Sequence, residues 1–144
     1  MTAPYGFEIC THIILNLPGD DMRDVIETAK ILSVLPVQIV KLHSLYVPKG
    51  SRLYKEFEEG KVSMCSAEEY LERLVTFISY VRSDMVIERL FSRVPKEYAS
   101  FSNCGISWWK LRDQFDAVME ERNLTQGCKA DYQNGAALRR WRIC

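Results

Sequence analysis

The segment of residues 10–21, CTHIILNLPGDD, constrains the fold of this chain more than any other feature. Its first part is apolar enough for a buried β-strand, the LPG that follows forms a tight turn, and Asp20 or Asp21 caps a helix. A strand that is apolar on both faces is typical of parallel sheets covered on both sides. In such folds ligands collect where strands end and helices begin. The segment therefore predicts a repeated strand–helix architecture with a ligand-binding mouth.

Later hydrophobic patterns continue the alternation of strands and helices. Apolar stretches predict strands at residues 7–15, 37–42 and 85–90. Ser51, Ser66 and Ser107 each cap a further helix, and Glu69 completes a capping box with the second of these serines. The order is strand, helix, strand, two helices, strand, helix, which predicts parallel strands with right-handed crossovers and all carboxyl ends at one rim.

The expected organisation has three parts. We expect strand–helix units at residues 7–91, an irregular segment with the C-terminal helix at 92–132, and a loosely ordered basic tail at 133–144. Three strands are few for a parallel sheet, and the first strand has a long apolar edge with no earlier strand beside it. We expect its partner to be a missing N-terminal portion of the fold or a second, self-paired copy.

The composition is that of a globular protein, with 47% hydrophobic and 26% charged residues. The formal net charge of +0 gives no bulk field to hold nucleic acid or an anionic membrane. No apolar run reaches the roughly 18 residues that a membrane-spanning helix needs, and no secretion signal is visible. Five cysteines at irregular spacing include no CxxC, so we expect reduced thiols and a cytoplasmic location without a membrane partner.

No catalytic or metal-ligating set stands out in the sequence. His12 shares a strand face with Cys10, but two ligands do not close a metal site, and we interpret His12 as a packed core residue. The LPGDD turn lacks the glycine pattern of phosphate loops, and Asp20 and Asp21 would repel a phosphate. We interpret them as helix caps, the alternative being a backbone turn against a flat neutral group such as adenine.

The predicted strand ends carry a few polar candidates. His43 either makes a structural hydrogen bond or acts as a general acid–base with Glu88 or Arg89. Lys41 and Lys49 are either solvated or bind a substrate carboxylate or phosphate. Arg89, inside an apolar strand, pairs with a carboxylate or faces a polar rim.

Two further groups have simple interpretations. We interpret Trp108 as a core anchor and Trp109 as its half-exposed neighbour, rather than as a platform for stacking bases. For the arginines of the basic tail, a frayed, solvent-exposed segment is as good an explanation as contact with nucleic acid.

Five motifs follow one another across residues 8–132: CTHIILNLPGDD, VKLHSLYVPKGSRLYKEFEEGKV, SAEEYLERLVTFISYV, VIERLFSRVP and NLTQGC. In this order they resemble the C-terminal half of an uncharacterised bacterial group of radical S-adenosylmethionine (radical SAM) Fe–S oxidoreductases. That group is related to the elongator acetyltransferase-type and oxygen-independent coproporphyrinogen oxidase-type branch. The resemblance implies an α/β fold, namely the C-terminal part of a parallel (β/α) partial TIM barrel with a helical C-terminal extension.

The resemblance also implies S-adenosylmethionine (SAM) and a [4Fe–4S] cluster as cofactors, which together produce a 5′-deoxyadenosyl radical. The residues that it places around the cofactor are Ile14, Asn16, Leu17, Pro18, Gly19, Leu42, His43, Ser44 and Leu45. It places Lys49 and Arg89 on the substrate side. The family prefers glycine where this chain has Asn16, and a side chain there narrows the approach to adenine.

The CxxxCxxC motif that holds the cluster is absent from the chain. We therefore expect a fragment or subunit that lines the SAM and substrate side of a barrel and is inactive alone, with tRNA as one candidate substrate. The alternative is a non-catalytic α/β interaction module that pairs through its exposed first strand. A third option is a protein that binds a small ligand at the same rim.

Overall fold

The computed structural model describes residues 5–93 and 99–133, and a three-stranded parallel sheet lies at its centre. The predicted basic tail beyond residue 133 lies outside the described residues. None of the described helices combines the length and apolarity needed to cross a membrane. The elements in chain order are β1 (Cys10–Ile14), α1 (Met22–Val34), β2 (Ile39–His43), β3 (Tyr46–Pro48), α2 (Arg52–Glu58), α3 (Ala67–Tyr80), β4 (Val86–Arg89), β5 (Ala99–Ser102) and α4 (Trp108–Glu121).

The three strands predicted from apolar stretches form this sheet in the order β1-β2-β4, and both pairings are parallel. Cys10 lies opposite Ile39 and Ile14 lies opposite His43, so β1 and β2 are in register along their whole length. The predicted α/β class, with parallel strands and intervening helices, is confirmed.

The helices begin where the capping signals predicted. Asp21 accepts hydrogen bonds from the first turn of α1 and forms a capping box with Asp24. Ser66 and Glu69 form the predicted capping box of α3. Ser51 and Ser107 cap α2 and α4 with their hydroxyl groups. Each cap satisfies backbone N–H groups that have no partner inside the helix.

The core lies on one face of the sheet. Val40 and Leu42 of β2 are fully buried and join one apolar cluster with side chains of α1, α3 and α4. On β1, by contrast, Cys10, His12 and Ile14 are exposed. The expectation that β1 is buried on both faces is therefore wrong, and so is the interpretation of His12 as a core residue. Alternate side chains of a strand point to opposite faces, and within residues 5–93 and 99–133 the helices cover only one of those faces.

A second, two-stranded sheet was not predicted. β3 pairs with β5 in antiparallel orientation, with Val47 opposite Phe101. Phe57 of α2 packs against Phe101 with ring centroids 6.0 Å apart. The sequence had indicated a loop at β3, because Pro48 and Gly50 are strong turn signals, and an irregular segment at β5. The ribbon follows directly on β2, so it lies beside the carboxyl end of that strand.

The segment after α4 packs back onto α3 and β4. Gln126 Nε2 donates a hydrogen bond to the carbonyl oxygen of Met85 at 2.8 Å, and the Gly127 N–H donates to the carbonyl of Ile78 at 3.0 Å. Gly127 has a φ of +75°, and a Cβ at this position would lie 2.8 Å from the backbone nitrogen of Ser83. Glycine is therefore required here both for its conformation and for its size.

Candidate functional site

The carboxyl ends of β1, β2 and β4 meet at one rim, as the parallel arrangement predicted. A small polar residue follows each strand at this rim. Asn16, Ser44 and Ser92 are 2%, 0% and 2% exposed. Buried polar groups need hydrogen-bond partners, so these three residues indicate an internal network.

The network, which we call the rim network, joins Asn16, Ser44 and Ser92 to Asn103 in the turn after β5. Ser44 Oγ donates to Asn103 Oδ1, and Asn103 Nδ2 donates to the carbonyl oxygen of Ser92 at 3.1 Å. Ser92 Oγ donates to the carbonyl of Ser44 at 2.6 Å, and Asn16 Oδ1 accepts from the N–H of Leu45 at 2.6 Å. These bonds fix the strand ends relative to one another.

Two of the residues that the resemblance places around the cofactor, Asn16 and Ser44, thus direct their side chains into the protein. Leu45 is also buried, at 7% exposure. Sequence reasoning missed Asn103 and also Ser92, which is separated from the end of β4 by Leu90 and Phe91.

The turn after β1 forms the exposed part of the rim. Ile14 and Leu17 are 38% and 42% exposed, and Pro18 and Gly19 are exposed beside them. Gly19 has a φ of +94°, and a Cβ added there would meet no atom within 4 Å, so the surface above it is free. These four residues form a small exposed apolar surface, which we call the apolar rim, and a flat neutral group could lie against it.

An arginine that sequence reasoning missed holds this turn in place. Arg73 of α3 donates from its guanidinium to the carbonyl oxygens of Leu15 at 3.1 Å and Asp20 at 2.7 Å. These bonds span the turn, so the apolar rim is anchored to the helical layer of the fold.

Two histidines meet on the open face of the sheet. His43 Nε2 lies 3.2 Å from His12 Nδ1, and the rings stack with centroids 5.2 Å apart. Burial, followed by the charges of His12, Arg89 and Lys41, lowers the pKa of His43 below its ordinary value. His43 is therefore neutral at pH 7, and its partner is His12 rather than Glu88 or Arg89.

The same open face carries an ion pair. Lys41 Nζ lies 2.7 Å from Glu88 Oε1, and Cys10 Sγ donates to Glu88 Oε2 at 3.8 Å. The hydrogen bond from Lys41 is the main cause of the lowered pKa of Glu88. Of the two lysines considered from the sequence, Lys41 is paired within the sheet, whereas Lys49 is exposed beyond β3.

The described residues do not fit an iron–sulfur cluster. No group of three or more His, Cys, Asp or Glu side chains at residues 5–93 or 99–133 is arranged to hold a metal. The four described cysteines are free thiols. Burial raises the pKa of Cys104 to about 12 and also raises the pKa of Cys65, whereas cluster ligation requires thiolates.

Comparison with known proteins places this geometry in context. Residues 37–121 match the family model described as the Radical_SAM C-terminal domain. Uncharacterized protein MJ0486 of Methanocaldococcus jannaschii is 28% identical over 125 residues, covering 86% of this chain and 39% of the relative. Uncharacterized protein YtqA of Bacillus subtilis is 28% identical over 123 residues, covering 85% and 38%. The chain thus spans under two fifths of the length of these relatives.

A solved structure has the same fold. The archaeal Elp3 of Methanocaldococcus infernus, studied with an N-terminal deletion of residues 1–46, superposes with a TM-score of 0.70 and 19% identity. The match covers 98% of this chain and 33% of the Elp3 chain.

Proposed function

This chain belongs to the Radical_SAM C-terminal domain family, and we propose that it closes a radical SAM barrel whose other strands lie outside it. The observation that carries the proposal is a parallel sheet with helices on one face and an open polar face on the other. In a (β/α) barrel of the TIM type, helices cover the outside of the strands and the opposite face lines the interior. As part of such a truncated or split protein, the chain would act in the cytoplasm.

The apolar rim is the part of this chain that fits SAM. Ile14, Leu17, Pro18 and Gly19 present apolar atoms and free space at a strand end, which suits the face of an adenine ring. SAM supplies radical chemistry when it is bound in enzymes of this family. The cluster ligands would come from the missing barrel portion, since the described part of this chain offers no suitable set.

The open face would supply polar groups to the barrel interior. The neutral His43 and its neighbour His12 can hold a proton between Nε2 and Nδ1 and pass it to or from a bound substrate. Arg89, half-buried at the end of β4, and Lys49 are the candidates for contact with an anionic group of that substrate, tRNA being one candidate.

The test is reconstitution of a complete barrel. We would express this chain alone, and together with the part of B. subtilis YtqA that precedes its matched region. Both preparations are loaded anaerobically with iron and sulfide. We expect the chain alone to show no cluster absorbance and to form no 5′-deoxyadenosine. We expect the two parts to co-purify, to show cluster absorbance and to form 5′-deoxyadenosine. A stoichiometric cluster in the lone chain, or failure of the two parts to associate, would contradict the proposal.

Paired glycine variants then test the apolar rim. Gly19 and Gly60 both have positive φ and open space around them, so valine imposes a similar backbone strain at each. We expect Gly19→Val to weaken SAM binding by the complete barrel at least tenfold and Gly60→Val to leave it unchanged. Equal effects would remove the apolar rim from the proposal. Association without SAM binding would instead support the non-catalytic interaction module, which is favoured by the edge of β1 that has no partner strand among the described residues.

A further inference from the structure

A cavity of about 410 Å³ lies between β4 and the first half of α4, along the sheet edge opposite β1. Its walls include Arg89, Arg93, Trp108, Arg112 and Gln126. The volume lies within the range of about 300–1,000 Å³ that is typical of small-ligand sites. The family assignment does not explain this combination of side chains.

Three guanidinium groups from different parts of the fold surround the cavity. Arg89 ends β4, Arg93 follows it, and Arg112 belongs to α4. Arg112 has a partner, Asp116, at 2.7 Å. Neither Arg89 nor Arg93 forms an ion pair with a carboxylate in the part of the chain that the structure describes.

Among the described residues that line the cavity, the one acidic side chain is already engaged, because Glu88 binds Lys41 at 2.7 Å. The walls therefore carry an excess of positive charge. A planar guanidinium group can donate two parallel hydrogen bonds to two oxygens of a phosphate, so an anion of this kind would complete the site.

A flat surface lies beside these charges. The guanidinium of Arg93 lies 4.3 Å from the ring centroid of Trp108, and the same ring stacks on Trp109 with centroids 3.4 Å apart. A base would therefore stack on the outer face of the Arg93 guanidinium, and Phe115 contributes another aromatic side chain to the wall. Aromatic rings and arginine planes are the groups on which bases stack.

Gln126 adds a polar group to this surface. Its Nε2 donates to the carbonyl oxygens of Arg82 at 2.9 Å and Met85 at 2.8 Å, and its Oε1 has no hydrogen-bond partner among residues 5–93 and 99–133. That oxygen is available to accept a hydrogen bond from a base N–H group.

We propose that this cavity binds one nucleotide, with its base stacked on the Arg93 guanidinium that covers Trp108 and its phosphate held by Arg89. A free nucleotide and a single residue of an RNA strand share this chemistry. The site assigns a role to Trp108 and to the excess of arginine at one edge of a chain whose net charge is +0. Arg89 is the side chain that this site shares with the proposed function, but nucleotide binding requires neither SAM nor a cluster, so a failure of one proposal leaves the other standing.

The test uses the full 144-residue chain. The four nucleoside 5′-monophosphates, adenosine and inorganic phosphate are titrated separately by calorimetry, and a fluorescein-labelled RNA hexamer of mixed sequence is titrated by anisotropy. Arg93→Gln is the variant, because Arg93 is exposed and its loss leaves the core intact. Arg52→Gln is the matched control, since the Arg52 side chain is 91% exposed and pairs with Glu56 on α2.

We expect at least one monophosphate to bind at least tenfold more tightly than adenosine or phosphate alone. Arg93→Gln should weaken that binding at least tenfold, while Arg52→Gln changes it less than twofold. A hexamer that binds at least tenfold more tightly than every monophosphate identifies an RNA strand as the source, and the reverse ranking identifies a free nucleotide. Absence of saturable binding by all probes, or equal weakening by the two arginine variants, would overturn the proposal.

Discussion

Replacing Ser44 with alanine should destabilise the protein far more than the same replacement at Ser79, although both side chains are fully buried. Ser79 Oγ donates only to the carbonyl oxygen of Val75, four residues earlier in α3, at 2.8 Å. That carbonyl also accepts the backbone hydrogen bond of the helix, so alanine at position 79 leaves no polar group unpaired. The helical serine is therefore a matched control for volume and burial.

At position 44 the same change leaves two buried groups without a partner. The first is Asn103 Oδ1, which accepts a hydrogen bond from Ser44 Oγ. The second is the Ser92 N–H, which donates a hydrogen bond to Ser44 Oγ at 3.4 Å. Each buried polar group left unpaired costs about 1–3 kcal/mol, and the long bond counts at the low end. The expected loss in the free energy of unfolding is about 2–4 kcal/mol. For a chain of this size it corresponds to a fall in Tm of about 6–12 °C.

Urea denaturation followed by far-ultraviolet circular dichroism measures both variants against the parent chain. We expect unchanged m-values, because the surface exposed on unfolding is the same. The reasoning about the rim network is refuted if Ser44→Ala costs less than about 1 kcal/mol, or no more than Ser79→Ala.

Three further predictions follow from the same structure. Because His43 has a lowered pKa in the folded state, the imidazole takes up a proton more readily in the unfolded chain, so the free energy of unfolding should fall as the pH drops below 6.5. In His43→Gln the free energy of unfolding, measured by denaturation, should depend less on pH. An unchanged pH dependence would contradict the lowered pKa. Cys104, with its pKa raised to about 12, should react with iodoacetamide at pH 8 at least a hundredfold more slowly than the exposed Cys10, measured by peptide mass spectrometry; comparable rates would show that the thiol is accessible as a thiolate. Gly127→Ala should lower the Tm more than Gly105→Ala, because both have positive φ but only the former would contact backbone; thermal melts with equal shifts would argue against the contact.

The parallel sheet and its helices could be predicted because their signals are local. Asp21 and the Ser66–Glu69 pair mark helix starts within four residues of sequence, and the apolar stretches mark the strands. The β3–β5 ribbon could not be predicted in this way, since its pairing joins Val47 to Phe101 across more than fifty positions. The sequence predicted a loop at β3, because Pro48 and Gly50 are strong turn signals and a strand of three residues has too little apolar pattern to recognise.

The candidate site shows a similar division. The resemblance pointed to Asn16 and Ser44, and the structure shows both at strand ends. Asn103, the partner of Ser44, was missed, because contacts of this kind depend on how the chain returns to the rim. His12 was misinterpreted since an apolar neighbourhood in sequence predicts burial on both strand faces, whereas the tertiary arrangement covers only one.

β1 lies at the edge of the sheet, and this position affects the rate at which its backbone amides exchange hydrogen with solvent. Amides of β1 that point away from β2 have no strand to protect them in the described part of the chain, so they should exchange with deuterium within seconds. A docked neighbour would slow those amides alone while leaving the ones shared with β2 as they were. The pattern of protection along this five-residue strand would then report whether the ring of strands has closed.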